Sequence, residues 1–492
     1  CSATNKMMAM DAATGQTIWS YDPKVGKDWI PYTAACRGVA YFRNPNAQAG
    51  DACAERVIEG TLDGRLIAVD TRNGQPCADF GQNGSVDIKK GMGEVIPGMV
   101  AISAVPSIVD GVVVVGHQVL DGQNAKAPSG VIQGFDAVTG KMDWAWDMTH
   151  PDWTGYPPEG QTWTRGSPNS WTSFSGDDQL GLVYVPMGNA GVDYVSSYRT
   201  KPMTEFSSAL VAIDVKTGKP RWKFQTVKKD VWDYDLGAQG TLVEWPVGNA
   251  GQKTPAIVLP SKQGDIYVLD RRNGEPVLPV SEDKAPESLG YQPVADTQPS
   301  SSLSLNPPPL EGRDMWGATL FDQLICRIQF QRLNYQGRYT PPSEQGSLIY
   351  PGNFGVFNWG ALAVDPERQV AFTTPAYLAF VSTLIPRQDD TSNYVSDGKP
   401  GLNENYGAPY AVSLKPFLSP LGLPCQQPPW GYVAGLDLRS GEVVWKHRNG
   451  TVRDQSPLPL PFKMGVPDLG GPIVTAGGVA FMSGTIDYYV RA

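Results

Sequence analysis

An all-β fold assembled from repeated strand–turn–strand units is what this sequence predicts, and three observations carry that prediction. An Asp followed four residues later by Gly, and four after that by Trp, recurs as Asp11/Gly15/Trp19, Asp136/Gly140/Trp144, Asp214/Gly218/Trp222 and Asp437/Gly441/Trp445. Asp70 with Gly74 and Asp270 with Gly274 repeat the turn without the Trp. The composition is rich in turn formers, with 54 Gly and 43 Pro, yet its 41% hydrophobic content rules out disorder. No long helix is read anywhere in the chain.

Each repeat explains itself locally. Apolar residues such as Leu210 and Ala212 lead in as a strand, the Asp caps the turn, and the Gly takes a positive φ. The Trp then opens the next strand. Repeating at the same place in successive units, it would pack between neighbours, with its N–H reaching a partner. The Asp positions fall about 56 to 78 residues apart, a period that points to a propeller or solenoid. The longer interval from Asp270 to Asp437 has room for a degenerate copy. A closed ring of four-stranded blades is a single domain at this size, so residues 1–492 are expected to form one domain. Both ends are expected to cut through blades, as in a piece of a longer ring.

The formal net charge of −9, with no basic run, argues against a nucleic-acid surface. The longest apolar stretches fall far short of the roughly 18 residues of a spanning helix. Cys1, Cys36, Cys53, Cys77, Cys326 and Cys425 show neither CxxC nor zinc spacing. They fit disulfides in an oxidising compartment or buried thiols equally well. His117, His150 and His447 are scattered and read as ordinary structural residues, leaving Ser-His-Asp chemistry without support.

Against the regular background, Asp230, Asp233 and Asp235 crowd beside Trp232 and Tyr234. Carboxylates this close raise one another's pKa unless a cation or acid–base chemistry accounts for them, although acidic turns also occur between ordinary strands. Further irregular stretches contain Asn189 (M-G-N), Lys262 (K-Q-G-D), Asn353 (P-G-N-F-G) and Trp430 (P-P-W-G). Propeller turns gathered at one end of a central channel can bring such residues together.

Here the chain resembles a known family. C-R-G-V-A-Y from Cys36, S-P-N-S-W from Ser167, V-W-D-Y-D from Val231 and K-Q-G-D-I-Y-V-L-D-R-R from Lys262 are similar to the pyrroloquinoline quinone-dependent dehydrogenases. With D-M-W-G-A-T-L-F-D-Q-L-I-C-R from Asp314 and T-P-P-S-E-Q-G from Thr340, all six stretches resemble the membrane-bound glucose/quinate/shikimate branch. The resemblance implies an eight-bladed β-propeller with tryptophan-docking repeats, on the periplasmic side of the bacterial inner membrane. It implies electron transfer to ubiquinone and membrane attachment through segments outside this chain. Asp233 matches the catalytic base and Lys262 the residue that hydrogen-bonds the quinone oxygens. Arg37, Trp171, Asn353 and Trp430 match cofactor-pocket positions. Asp121, Asn189 and Asp233 match ligands of a divalent cation, Ca2+ or Mg2+. The chain has Cys36 preceded by Ala34-Ala35 where alcohol dehydrogenases have adjacent cysteines, and Thr33 where glucose enzymes have histidine. Lys228-Lys229 stand where glucose enzymes tend to have two histidines; ammonium groups there suit an anionic substrate, unless they simply face solvent. The expected substrate is therefore a cyclic polyol acid, quinate or shikimate. Glucose or another neutral polyol is the alternative, and a non-catalytic propeller scaffold the alternative of another class.

Overall fold

The computed structural model describes residues 1–247, 252–387, 402–454 and 460–492. Two compact units emerge, the first from residues 1–192, 200–206 and 210–223 and the second from 193–199, 207–209 and 224–492.

In the first unit, antiparallel four-stranded sheets follow one another in chain order. One is built from Ala40–Arg43, Glu55–Gly60, Arg65–Asp70 and Ser85–Asp87, the next from Ser107–Val109, Val112–Val115, Ile132–Asp136 and Met142–Trp146. Ser175–Asp177, Leu182–Pro186, Ala209–Asp214 and Pro220–Gln225 make a third. Each is a meander in which neighbours in sequence are neighbours in the sheet, as expected of a propeller blade. Between Ile132–Asp136 and Met142–Trp146, and again between Ala209–Asp214 and Pro220–Gln225, sits the Asp-Gly turn. Asp136 accepts the Thr139 amide and hydroxyl, and Asp214 those of Thr217.

The tryptophans dock as the repeat predicts. Trp144 is buried and donates its indole N–H to the Val215 carbonyl at 2.6 Å, 71 residues on. Trp19 likewise donates to Thr71 at 2.8 Å. Gly218, at φ 68°, lies under the Trp144 ring, where an added Cβ would come within 2.6 Å. Truncating Trp144 to Ala removes both the hydrogen bond and a fully buried indole ring. The expected cost is about 3–5 kcal/mol, read as a lower midpoint in urea unfolding.

Glu59 is a buried exception in this unit. Its strand places it fully inside, where it takes the Asn5 side-chain amide at 3.3 Å while its second oxygen has no partner among the described residues. Burial pushes its carboxyl up to about 7 from 4.5. Because the folded value is raised, the folded state binds the extra proton. The stability that this confers is complete below about pH 4.5 and is lost as pH rises through about 7. Glu59→Gln should flatten that slope and stabilise the protein at pH 8 by at most about 3 kcal/mol, measured by urea unfolding across the pH range.

In the second unit, Thr241–Val247, Gln252–Pro260 and Ile266–Asp270 form a three-stranded sheet. Leu362–Asp365, Val370–Thr373, Tyr432–Asp437 and Glu442–Arg448 form a four-stranded one. The long interval from Asp270 to Asp437 holds no further Asp-Gly-Trp turn among the described residues. It is filled by the hairpin Val280–Lys284/Thr297–Ser301, a helix, and a separate sheet of Ser347–Ile349, Phe380–Pro386, Leu402–Asn403 and Tyr410–Pro416. The blade ending at the Asp437 turn is thus split, with its second and third strands far apart in sequence.

Helix is sparse, as expected of an all-β chain. Besides the short α1 (Lys201–Phe206), α2 spans Leu320–Arg332, thirteen residues. Thr319 caps it by accepting the Asp322 amide at 3.1 Å, and Asp322 accepts the Ala318 amide. No helix among the described residues is long and apolar enough to cross a membrane. All six cysteines are paired, as Cys1–Cys36, Cys53–Cys77 and Cys326–Cys425. His117 is a core residue, its Nε2 2.7 Å from the Ser129 carbonyl oxygen.

Candidate active site

In the second unit the acidic segment is pinned from behind by aromatic packing. Trp232 and Tyr234 are buried; the Trp232 indole donates to the Thr340 carbonyl at 2.7 Å, and the Tyr234 hydroxyl bonds the Pro351 carbonyl. Tyr339 meets both rings edge-on, with centroids 5.2 and 5.9 Å away. With its neighbours on either side locked, Asp233 adopts φ 60°, a left-handed conformation that few side chains tolerate and that tends to persist where function requires it.

The three aspartates separate into two roles. Asp230 is fully buried and structural, accepting the Ser208 hydroxyl at 2.7 Å and the Trp232 amide at 2.9 Å. Asp233 and Asp235 share one cation. Lys262 Nζ lies 2.8 Å from Asp233 Oδ1 and 2.5 Å from Asp235 Oδ1, and also donates to the Asp233 carbonyl at 2.9 Å. Lys262 comes from the turn between Gln252–Pro260 and Ile266–Asp270, closed by the Ser261 amide on the Asp265 carbonyl. Desolvation alone would lower its pKa, but the two carboxylates outweigh it and raise the ammonium well above its ordinary value. The crowding seen in the sequence is thus explained by a buried lysine.

The other Asp233 oxygen, Oδ2, takes the Tyr194 hydroxyl at 3.3 Å and the Asn353 side-chain amide at 3.3 Å. Asn353 is half-buried, and its own Oδ1 has no hydrogen-bond partner among the described residues. Tyr194 was not singled out by sequence; it sits in an irregular segment held by Arg199, which donates to the Asp193 and Asp230 carbonyls, and by Gln292 on the Tyr194 carbonyl. The Asp233 side chain keeps 18% of its surface exposed, against 5% for Lys262, so it is the reachable member of the pair. Trp430 is buried, its indole N–H on the Gln426 carbonyl and its ring edge-on to Trp316. Lys228 is ion-paired with Glu282 at 2.6 Å, an oxygen that Thr297 also donates to, and Lys229 is exposed.

The first unit holds the remaining candidates. Arg37 donates to the Ser103 carbonyl at 2.8 Å, and the Ser103 hydroxyl donates to the Trp171 carbonyl at 2.8 Å, so one serine ties both residues together. Arg37 is solvent-reachable, yet desolvation draws it down to about 10. Trp171 is half-buried and Asn189 fully buried. Asp121 is exposed and takes the Tyr32 hydroxyl at 2.9 Å, with Thr33 exposed beside that tyrosine in sequence. Two groupings of sulfur and carboxylate lie close enough to hold an ion, Cys1/Cys36/Glu59 and Cys53/Cys77/Asp79. Their sulfurs are spent in disulfides, so neither offers a thiolate.

The family model describing the β-propeller domain of PQQ glucose/ethanol/alcohol dehydrogenases matches residues 1–492. The chain belongs to this quinoprotein family. It is 45% identical over 514 residues to the glycerol dehydrogenase large subunit of Gluconobacter oxydans, covering all of this chain and 69% of that protein. It is 44% identical to the quinoprotein glucose dehydrogenase of Escherichia coli and 36% to the quinate/shikimate dehydrogenase (quinone) of Acinetobacter baylyi. Each match covers all of this chain and 64% of the relative. The crystal structure of quinohemoprotein alcohol dehydrogenase from Comamonas testosteroni shares the propeller fold, with TM-score 0.61 and 20% identity over 97% of this chain and 61% of that one. The family thus fixes the architecture that the repeats predicted.

Proposed function

We propose that this chain is the catalytic propeller of a pyrroloquinoline quinone-dependent dehydrogenase that oxidises a CH–OH group of a polyol, with ubiquinone as the final acceptor at the periplasmic face of the inner membrane. The observation that carries this reading is the buried Lys262 held between Asp233 and Asp235, with Asp233 left reachable. A scaffold propeller has no use for such a costly buried charge cluster.

The residues present suit the cofactor. Arg37, desolvated but open, gains from a carboxylate, and the cofactor carries three. Trp171, in the same unit as Arg37, offers an aromatic face; in the second unit, taken by itself, Asn353 offers an unsatisfied acceptor beside Asp233. In the second unit Asp233 offers carboxylate oxygen of the kind that Ca2+ prefers; Asn189 and Asp121 of the first unit are oxygen donors of the same kind. When bound, the quinone supplies the two-electron acceptor that takes hydride from the alcohol carbon. Asp233 takes the hydroxyl proton; Tyr194 and Asn353 orient its carboxylate, and Lys262 keeps positive charge where negative charge develops.

A neutral polyol is the better supported substrate. Lys228, one of the two ammonium groups that favoured an acid, is paired with Glu282, and the glycerol and glucose enzymes are more similar to this chain than the quinate enzyme is. Dye-linked turnover of the protein loaded with pyrroloquinoline quinone and Ca2+, on glycerol, glucose, quinate and shikimate side by side, tests this. Activity on the neutral polyols is expected. Activity confined to the acids restores quinate or shikimate as the substrate, and cofactor binding without turnover on any of the four overturns the polyol assignment.

A further inference from the structure

Helix α2 is inside out. Leu320, Phe321, Leu324, Ile325 and Ile328 are 83, 80, 53, 38 and 43% exposed, while Asp322 and Cys326 are buried. At 3.6 residues per turn the five apolar residues fall within an arc of about 140°. Arg327 borders that arc on one side, and Arg332 ends the last turn in line with it. Both arginines are exposed, and neither has an ion-pair partner among the described residues.

We infer that α2 is a lipid-docking surface that lies flat in the headgroup region of an anionic bilayer. An isolated exposed leucine is ordinary, but consecutive helical turns of Leu, Phe and Ile facing water are not. The surface is a convex helix rather than a groove, so it suits a deformable apolar medium better than a rigid ligand. Thirteen residues are too few to span a bilayer, for which roughly 20 are needed, but suffice to lie in its plane. Arg327 and Arg332 can keep their stems along the apolar stripe while their guanidinium heads reach lipid phosphates. In a chain of net charge −9, two exposed cations without carboxylate partners at the border of an apolar stripe single out anionic headgroups as the complementary partner. The inference stands on α2 alone and does not depend on the catalytic reading.

Vesicle flotation of the protein tests it, with phosphatidylcholine alone against a phosphatidylcholine/phosphatidylglycerol mixture. Binding to the anionic vesicles is expected. Phe321→Ser with Leu324→Ser should weaken it at least tenfold, and Arg327→Gln with Arg332→Gln should erase the preference for phosphatidylglycerol. As the substituted side chains are exposed, the thermal unfolding midpoint should hold. A Phe321→Trp variant should show a blue-shifted emission that brominated lipid tails quench. Unchanged vesicle binding in the Phe321/Leu324 variant overturns the proposal. So does vesicle-independent self-association that the same variant abolishes, which would assign the stripe to a protein contact.

Discussion

An Asp233→Asn protein should bind pyrroloquinoline quinone yet turn over about a hundred to ten thousand times more slowly than the parent, the range expected when a general base is lost. The amide is nearly isosteric, and Asn tolerates the left-handed φ of 60° as well as Asp does. Its oxygen can still face Lys262, which retains Asp235 as counter-charge, so the fold should lose no more than about 1–2 kcal/mol. What cannot survive is proton acceptance from the substrate hydroxyl. The measurement is kcat with a dye acceptor, beside cofactor affinity from quenching of tryptophan emission and the unfolding midpoint. Turnover within tenfold of the parent, with cofactor bound, would remove Asp233 from the role of base. Asp230 is the internal control: being fully buried and bonded to Ser208 and Trp232, its substitution should lower stability first and activity only through folding.

That contrast shows how far the sequence could be read. The Asp-Gly-Trp beat was legible because its turn is local: each cap and each positive φ is set by residues within one turn, as at Asp136, and the Trp recurs at a fixed offset from it although its indole docks on the next repeat, as Trp144 does on Val215. The aspartate cluster was legible as an anomaly but not as a division of labour, since Lys262 is 29 residues from Asp233 and Ser208 is 22 from Asp230. Only the fold brings them together. Lys262, Asn353 and Trp430 stood out as breaks in the regular pattern, and resemblance supplied their roles; Tyr194, a lone aromatic in an irregular stretch, carried no signal of its own. The split blade defeated the repeat count because its insertion lies between strands, leaving the Asp437 turn intact and the interval before it long. Helix α2 was missed although Thr319 and Asp322 form a cap and Leu320, Leu324 and Ile328 keep a four-residue spacing. Its apolar stripe faces outward, so the core it should have implied was not there to find. The cysteine spacing left thiols and disulfides equally open, and only the paired sulfurs decide between them.

Removing Lys262 should have the largest combined effect, because it is at once the cation of the proposed catalytic pair and the counter-charge of two carboxylates. In Lys262→Ala, Asp233 and Asp235 face each other without an intervening ammonium, and breaking a buried pair from one side typically costs about 3–5 kcal/mol. Activity should fall below detection, but instability alone could account for that. The discriminating protein is therefore Lys262→Ala with Asp235→Asn, in which one carboxylate is neutralised and the repulsion relieved. Its unfolding midpoint should recover much of the loss, since the two positions are in contact and their effects are not additive. Its turnover should not recover, because no positive charge is left where the acceptor's negative charge develops. If stability and turnover returned together, Lys262 would be a structural counter-ion only. If neither returned while Asp235→Asn alone was well folded, the hydrogen bond from Lys262 to the Asp233 carbonyl at 2.9 Å, not the charge balance, would be what holds the loop.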